Sequence, residues 1–273
     1  MGKIHDALQR AEEERARQGA PPAGAAAEVA ASAEPQSRRR AVAEQRKRVR
    51  DSRRSRIIMG DVESDVTEEY RTLRARIQSI RRENPLRSLV VTSTLPGEGK
   101  TTTAVNLALS FGLEREGRTC LIDADLRTPA IHHGFHEDPP SGLAELLESD
   151  EKLEDTLVAV PDTHLSVLMV KRLPEHPAEL LGSARMRELL QELTSRFDTV
   201  ILDAPPVLGL PDATTLVDLC DAALLVVAKG ASGLDEVESA LERIDTRKLI
   251  GTVFNRSDDP PRSYGAAYGR GST

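Results

Sequence analysis

The sequence predicts a three-layer α/β/α fold, in which helices cover both faces of a mainly parallel sheet. Three observations lead to this prediction. First, apolar runs without polar alternation take turns with amphipathic helical patterns after Pro85, as in buried parallel strands. Second, a glycine-rich turn joins the first of these runs to a helix. Third, aspartates stand where two later runs end, at the sheet edge that usually carries the functional site.

The elements follow one another in a regular order. An amphipathic helix is expected over residues 64–82, with Tyr70, Leu73, Ile77 and Ile80 on one face. The strands after it are expected at SLVVTS, RTCLIDA, LSVLMV, DTVILDA, AALLVVAK and LIGTVFN. Helices are expected between them at residues 101–113, 142–147, 186–197, 213–219 and 234–244. A chain of 273 residues has room for one large or two small domains.

Composition divides the chain into four parts. They are a short amphipathic helix over residues 1–18, an Ala- and Pro-rich linker with a basic arm over 19–56, the α/β domain over 57–257, and a flexible tyrosine-containing tail over 258–273. The first helix has a narrow apolar stripe, which favours docking on a partner.

The basic arm gives the chain an uneven charge. From Arg38 to Arg56, ten basic side chains stand against two acidic ones, whereas the whole chain has a net charge of −7. Such an arm favours an anionic surface or a neighbouring subunit, and a merely solvated arm is the alternative. It has no interleaved aromatic residues for base stacking, so specific nucleic-acid binding is not expected.

The sequence also bears on the cellular compartment. Its longest apolar runs have the length of strands, so no membrane-spanning segment is expected. Cys120 and Cys220 both lie in apolar segments, which is typical of buried thiols in a reducing compartment rather than of a disulfide. We therefore expect a cytoplasmic protein.

Residues 93–102, STLPGEGKTT, have the composition of a phosphate-binding loop between a strand and a helix. Gly97 and Gly99 allow the backbone to curl, so that successive N–H groups point inward at phosphate oxygens. The N-terminus of the following helix adds a partial positive charge. A simple helix-capping turn is the alternative interpretation.

Two side chains in this loop have the chemistry that a bound nucleotide requires. Lys100 would reach the β and γ phosphates, and Thr101 has a hydroxyl of the type that ligates Mg²⁺. The pattern departs from a full P-loop at one place, where Thr94 replaces the leading glycine. The residues expected to contact the nucleotide here are Pro96, Gly97, Glu98, Gly99, Lys100, Thr101 and Thr102.

Carboxylates stand at the ends of two predicted strands. Asp123 and Asp125 lie two residues apart in CLIDADLRTP, so both can face one metal–phosphate centre. Asp203 ends the strand TVILD and is followed by two prolines, which is the Walker B arrangement. Each could instead be an ordinary turn aspartate, but the phosphate loop upstream favours a common site.

Together the three motifs resemble Walker A, A′ and B of the bacterial protein-tyrosine kinases of capsule and exopolysaccharide synthesis. The helix TEEYRTLRARI is similar to the family's Glu-x-x-Arg-x-x-Arg oligomerisation helix, which maps to Glu68, Arg71 and Arg74. The segment VFNR resembles the one that supplies an adenine-contacting asparagine, here Asn255. The N-terminal KIHDALQRAEEER resembles the exosortase-associated tyrosine autokinases within this family.

The resemblance implies an autokinase that uses ATP and Mg²⁺. Lys100 would neutralise charge on the transferred phosphoryl group, and Asp123 would accept the proton of the attacking tyrosine. Arg127 would orient that carboxylate or stabilise the phosphate. The implied metal ligands are Thr101, Asp125 and Asp203.

The family also implies partners. Tyr264 and Tyr268 are the implied phosphoacceptors, although members usually carry a larger tyrosine cluster at this end. Neighbouring subunits of a ring-type homo-oligomer would phosphorylate them. A separate membrane-bound polysaccharide co-polymerase would activate the chain and hold it at the inner face of the cell membrane.

Two other functions remain open from the sequence. Partitioning and positioning ATPases of the ParA and MinD type share the fold and the motifs, but they carry a signature lysine where this chain has Leu95. A scaffold that binds ATP only to organise the polysaccharide machinery is the second alternative.

Overall fold

A computed structural model of the chain describes residues 65–135, 139 and 141–257. Seven strands of this part form one sheet in the order β3-β4-β2-β5-β1-β6-β7. Their bounds are β1 Ser88–Ser93, β2 Thr119–Asp123, β3 Leu157–Ala159, β4 Leu165–Leu168, β5 Thr199–Asp203, β6 Ala222–Ala228 and β7 Leu249–Asn255. Neighbouring strands pair in parallel, except that β3 is antiparallel to β4.

Helices separate the strands along the chain. Their bounds are α1 Asp65–Glu83, α2 Lys100–Gly112, α3 His132–Phe135, α4 Leu143–Glu148, α5 Leu153–Thr156, α6 Pro177–Leu181, α7 Ala184–Arg196, α8 Asp212–Leu219 and α9 Leu234–Leu241. In the described part of the chain, none of these helices combines the length and the apolar character needed to cross a membrane.

The predicted three-layer α/β/α fold is confirmed, and all six predicted strands are present. The strand β3 was missed because it has three residues and lies half exposed at the sheet edge, where no apolar run marks it. The short helices α3, α5 and α6 were missed for the same reason of length. The helix predicted at residues 234–244 ends earlier, at Leu241.

The sheet separates two apolar cores because successive strand residues point to opposite faces. On one face, Leu121 and Ile201 pack with Leu107 of α2 and with Ile77 of α1. On the other face, the adjacent residues Ile122 and Leu202 pack with residues of α7 and α8, among them Met186, Leu193 and Leu216. Because apolar residues are buried on both faces, the packed sheet holds the residues at its edges in fixed positions.

The strand register places the carboxyl ends of β1, β2 and β5 next to one another. Val91 of β1 and Asp123 of β2 are both register partners of Asp203 on the central strand β5. The N–H of Ala124 donates to the carbonyl of Asp203, and the N–H of Ala204 donates to that of Val91. The carboxyl ends of the three strands therefore lie side by side, next to the loop that follows β1.

The domain bounds of 57–257 stay a prediction, since the described residues begin at 65 and end at 257. The predicted helix over residues 1–18, the linker and basic arm over 19–56, and the tail over 258–273 lie outside the described residues.

Candidate active site

The loop between β1 and α2 has the backbone shape that its glycines predict. Gly97 and Gly99 both have positive φ, 84° and 99°, in the left-handed region that glycine tolerates best. A Cβ on Gly99 would lie 2.1 Å from Nδ2 of Asn255, whereas a Cβ on Gly97 would meet nothing within 4 Å. Gly99 is thus required by both conformation and space. The helix α2 begins directly afterwards at Lys100, so its N-terminus faces the loop.

Lys100 is buried among carboxylates. Its Nζ lies 2.8 Å from Oδ2 of Asp125 and 3.5 Å from Oδ1 of Asp203. Burial alone would lower the pKa of Lys100, but the charges of Asp203 and Asp125 outweigh it and raise this pKa above its ordinary value. The ammonium group is therefore a fixed cation at the end of the loop.

Asp203 is fully buried and only half satisfied. Its Oδ2 accepts a hydrogen bond of 2.6 Å from the hydroxyl of Thr101. Its Oδ1 is buried and accepts no hydrogen bond in the described part of the chain. Burial raises the pKa of Asp203, against the opposing effects of Lys100 and of the Thr101 hydroxyl. A buried carboxylate oxygen without a donor is a costly arrangement that a cation would relieve.

Asp123 is fully buried, like Asp203, and is held by backbone N–H groups. Its Oδ2 accepts from the N–H groups of Ala130 and Ile131 at 3.1 Å each, and its Oδ1 accepts from the N–H of Asp125 at 3.3 Å. Burial, followed by the charge of Asp203, raises the pKa of Asp123 to about 8. The ligand-free protein therefore keeps this carboxyl largely protonated at neutral pH.

Asp125 has the opposite character. Its Oδ2 accepts from Lys100 and from the Thr128 hydroxyl at 3.1 Å, and its Oδ1 accepts from the N–H of Thr128 at 2.9 Å. Burial acts to raise the pKa of Asp125, but Lys100 and Thr128 together lower it below its ordinary value. Asp125 is thus an ionised carboxylate.

These groups fit a magnesium ion that arrives with a nucleotide. The Thr101 hydroxyl, the Asp125 carboxylate and the Asp203 Oδ1, which accepts no hydrogen bond from the described residues, are hard oxygen donors at one place, which is the ligand type that Mg²⁺ prefers. Across residues 65–135, 139 and 141–257, no three His, Cys, Asp or Glu side chains converge to hold a metal. Phosphate oxygens and waters would have to complete the coordination, as is common for Mg²⁺.

Arg127 pairs with a residue that its predicted role did not include, Asp212. Its Nε donates to Oδ2 of Asp212 at 2.6 Å and its Nη2 donates to Oδ1 at 3.2 Å. Asp212 is fully buried at the start of α8, whereas a third of the Arg127 side chain is exposed. Backbone N–H groups, rather than Arg127, orient Asp123 in this structure. A contact between Arg127 and a phosphate stays a prediction.

Asn255 lies at the loop, as its predicted role requires. Its Nδ2 donates to the carbonyl of Glu98 at 2.8 Å, and its Oδ1 accepts from the N–H of Arg256. One N–H and one lone pair of the amide remain for another partner, so contact with adenine stays a prediction. Pro96 is exposed at the tip of the loop, and Thr102 is half-buried in the first turn of α2.

The three predicted oligomerisation residues separate into two environments. Glu68 and Arg71 are exposed on α1 and pair with each other at 3.1 Å. Arg74 turns into its own chain, where it donates to the carbonyl and the hydroxyl of Ser110 and lies 3.2 Å from Glu114. Arg74 therefore joins α1 to α2 within the subunit. The predicted acceptors Tyr264 and Tyr268 lie outside the described residues.

Sequence reasoning missed Asp212, Thr128, Ser232 and Arg256 at this site. Asp212 follows Pro211 at a helix start, which is a common capping pattern and gave no sign of a partner 85 residues away. The contacts of Ser232 and Arg256 with the loop likewise join residues that are distant in sequence.

Comparisons with known proteins agree with this geometry. A family model described as an AAA domain matches residues 87–252. Tyrosine-protein kinase YwqD of Bacillus subtilis is 37% identical over 201 residues, which cover 73% of this chain and 84% of YwqD.

Two solved structures are also similar. The chimerical protein CapA2B2 has a TM-score of 0.70 and 30% identity, with 75% of this chain and 91% of that chain covered. The kinase domain of the Escherichia coli tyrosine kinase ETK has a TM-score of 0.67 and 27% identity, with 74% and 81% covered.

Proposed function

The chain belongs to the bacterial protein-tyrosine kinases of capsule and exopolysaccharide synthesis, and we propose that it transfers the γ-phosphoryl group of ATP to tyrosines of its own copies. One observation supports this most. Lys100, Thr101, Asp125 and Asp203 meet at the N-terminus of α2, beside the glycine loop, and Oδ1 of Asp203 accepts no hydrogen bond there from any described residue. This arrangement suits a nucleotide triphosphate with its metal, because catalysis of phosphoryl transfer is mostly positioning and charge stabilisation.

The loop and Lys100 hold the phosphates in this proposal. The N–H groups at the start of α2 would donate to the phosphate oxygens, and Lys100 would supply positive charge to the β and γ phosphates. In the ligand-free protein Lys100 is engaged by Asp125 and Asp203. Binding therefore requires Lys100 to exchange part of these contacts for phosphate oxygens.

Thr101, Asp125 and Asp203 hold Mg²⁺ in this proposal. When bound, Mg²⁺ supplies positive charge that offsets the charge on the β and γ phosphates. The same three residues keep their own positions through the Thr101–Asp203 hydrogen bond and the contacts of Asp125 with Thr128.

Asp123 is proposed as the proton acceptor. A tyrosine hydroxyl has a pKa of about 10, so its attack on the γ-phosphorus is helped by a base. As the new O–P bond forms and the bond to the ADP oxygen breaks, the hydroxyl proton passes to the Asp123 carboxylate, which must have lost its own proton before this step. Asp123 is 0% exposed beneath residues 130 and 131, so this segment must open for an acceptor to reach it.

The tail supplies the proposed acceptors, Tyr264 and Tyr268. The strand β7 ends at Asn255 beside the loop, and Arg256 donates to the carbonyl of Gly97 at 2.6 Å. The chain thus enters the tail at the active-site edge. Tyr70 is a weaker candidate, because it packs half-buried against the α1–α2 core and burial raises the pKa of its hydroxyl.

Assembly completes the proposal. Exposed Glu68 and Arg71 are available to pair with a neighbouring subunit in a ring, whereas Arg74 supports the α1–α2 packing behind them. A separate membrane-bound polysaccharide co-polymerase would activate the chain and hold it at the inner face of the membrane. The basic arm over residues 38–56 suits either an anionic surface or a neighbouring copy.

The proposal is tested by incubating the protein with γ-labelled ATP and Mg²⁺, with and without a candidate activator peptide. We expect phosphotyrosine at Tyr264 and Tyr268 by mass spectrometry, and loss of most of it when both are changed to Phe while ATP binding is kept. Steady ATP hydrolysis without phosphotyrosine would contradict the proposal and favour the switch ATPase. ATP binding with neither reaction would favour the scaffold.

A further inference from the structure

The side chain of Glu98 has an unexpected position for a residue of a phosphate-binding loop. It is 0% exposed, and both of its carboxylate oxygens are engaged within the protein. Its Oε2 accepts from the N–H of Leu95 at 2.7 Å. Its Oε1 accepts from the N–H of Ala228 at 3.2 Å and from the hydroxyl of Ser232 at 2.6 Å. One carboxylate therefore links two parts of the loop and joins the loop to the end of β6 and to the segment after it.

The carbonyl side of the same turn is also held. Asn255 donates to the carbonyl of Glu98, and Arg256 donates to the carbonyl of Gly97. Two consecutive carbonyls of the turn are therefore engaged by side chains, which restricts how its peptide groups can rotate. The loop is thus fixed by side chains from two other elements in addition to its glycines.

Electrostatics alone gives no reason for a carboxylate here. A negative charge next to a loop that binds several phosphate charges opposes binding. Its removal by charge alone should tighten ATP binding. The three donors that surround Glu98 suggest that the carboxylate is kept for the shape it imposes on the loop.

We propose that Glu98 is a positioning residue, whose contacts with Leu95, Ala228 and Ser232 fix the phosphate-binding conformation of the loop. The inference rests on the proposed function only in taking ATP as the ligand. It separates nucleotide affinity, which depends on Glu98, from the transfer step, which depends on Lys100 and the aspartates.

Glu98→Gln is the sharpest variant, because it removes the charge and keeps the shape. Whichever way the new amide is turned, its NH₂ faces a backbone N–H, that of Leu95 or that of Ala228. We expect the Kd and KM for MgATP to rise about tenfold, with kcat at saturating ATP changed less than about twofold. We also expect faster hydrogen–deuterium exchange at Leu95 and Ala228 in the nucleotide-free protein.

Glu145→Gln is the matched control. Glu145 also accepts a hydrogen bond from a backbone N–H, that of Gly142 at the start of α4, but it does not touch the loop. This variant should keep the wild-type Kd for MgATP. Equal or tighter MgATP binding by Glu98→Gln, or an equal loss in the control, would overturn the inference.

Ser232 provides a second, milder test. Ser232→Ala should weaken MgATP binding a few-fold, and Ser232→Thr should restore it, because threonine keeps the hydroxyl. The double variant with Glu98→Gln should lose less binding than the sum of the two single losses, since the two side chains are bonded to each other. Fully additive losses would overturn the pairing. The Kd and hydrogen-exchange readouts do not require phosphotyrosine, so a chain that binds MgATP without modifying tyrosine would overturn the proposed function and not this inference.

Discussion

The two edges of the sheet treat buried charge in opposite ways. At the carboxyl ends of the strands, Asp123 and Asp203 are buried close together, and the pKa of each is raised mainly by burial. At the amino ends, Asp221 accepts from the N–H groups of Arg87 and Ser88 at 2.9 Å and from the Ser88 hydroxyl at 2.8 Å. These donors lower the pKa of Asp221 in spite of its partial burial.

The lysines show the same contrast. Lys100 at the carboxyl ends neutralises carboxylates that lie close to one another. Lys248 at the other edge donates to the carbonyls of Val217, Asp218 and Cys220, where α8 ends. A cation at a helix C-terminus stabilises the fold directly. The comparison indicates that the amino edge contributes stability, whereas the carboxyl edge gives up stability for a site that a ligand completes.

The largest expected effect is that of Lys100→Met. It should lower phosphotyrosine formation by at least about a thousandfold, because the cation at the transferred phosphoryl group is lost. Labelling with γ-labelled ATP checks this result. Lys248→Met is the control from the opposite edge and should keep the activity while lowering the free energy of unfolding by about 1–2 kcal/mol. A wild-type level of phosphotyrosine in Lys100→Met would contradict the assignment of the carboxyl edge as the active site.

Asp203→Asn should change protein stability and Mg²⁺-dependent ATP binding in opposite directions. Without ligand, the variant should be more stable than the wild type, because the burial of the Asp203 carboxylate outweighs the favourable effect of Lys100 and a neutral group avoids this cost. With MgATP, its rise in Tm should be smaller and its Mg²⁺ requirement higher by about tenfold or more. Thermal unfolding across a Mg²⁺ titration measures both. An unchanged Mg²⁺ dependence would count against Asp203 as a metal ligand.

The sequence was sufficient for the parts of this comparison that local patterns encode. The glycine loop, the strand ends and the three aspartates were predicted because parallel strands place their carboxyl ends at one edge. The Arg127–Asp212 pair and the Glu98–Ser232 bond were not, since they join residues 85 and 134 positions apart without any local signature. The inward turn of Arg74 was missed for a related reason. A charged stripe on a helix does not reveal which of its members face a neighbouring helix.

The pH dependence of stability should have opposite signs at the two edges. At the carboxyl edge, Asp123 should make the stability fall as the pH rises. Its pKa is about 8 in the folded ligand-free protein and about 4 when unfolded, so the folded state retains a proton that the unfolded state loses. Stability from this group is present below pH 4 and is lost as the pH rises towards 8, by at most about 1.4 kcal/mol per pH unit. Urea unfolding from pH 5 to 8 should show this slope in the wild type and a flatter one in Asp123→Asn. Equal slopes would contradict the raised pKa.

At the amino edge, Asp221 should make the stability fall as the pH falls, and its replacement should have the smallest effect of these variants. Because its folded pKa is lowered, the stability it contributes is present above the unfolded value near pH 4 and is lost as the pH falls through the folded value. Asp221→Asn should cost about 1 kcal/mol at pH 7, a modest figure because the group is partly exposed and screened by solvent. The loss should shrink when urea unfolding is repeated at pH 3, whereas phosphotyrosine formation at pH 7 should stay at the wild-type level. A loss of activity with unchanged stability would place Asp221 in the chemistry and remove the distinction between the edges.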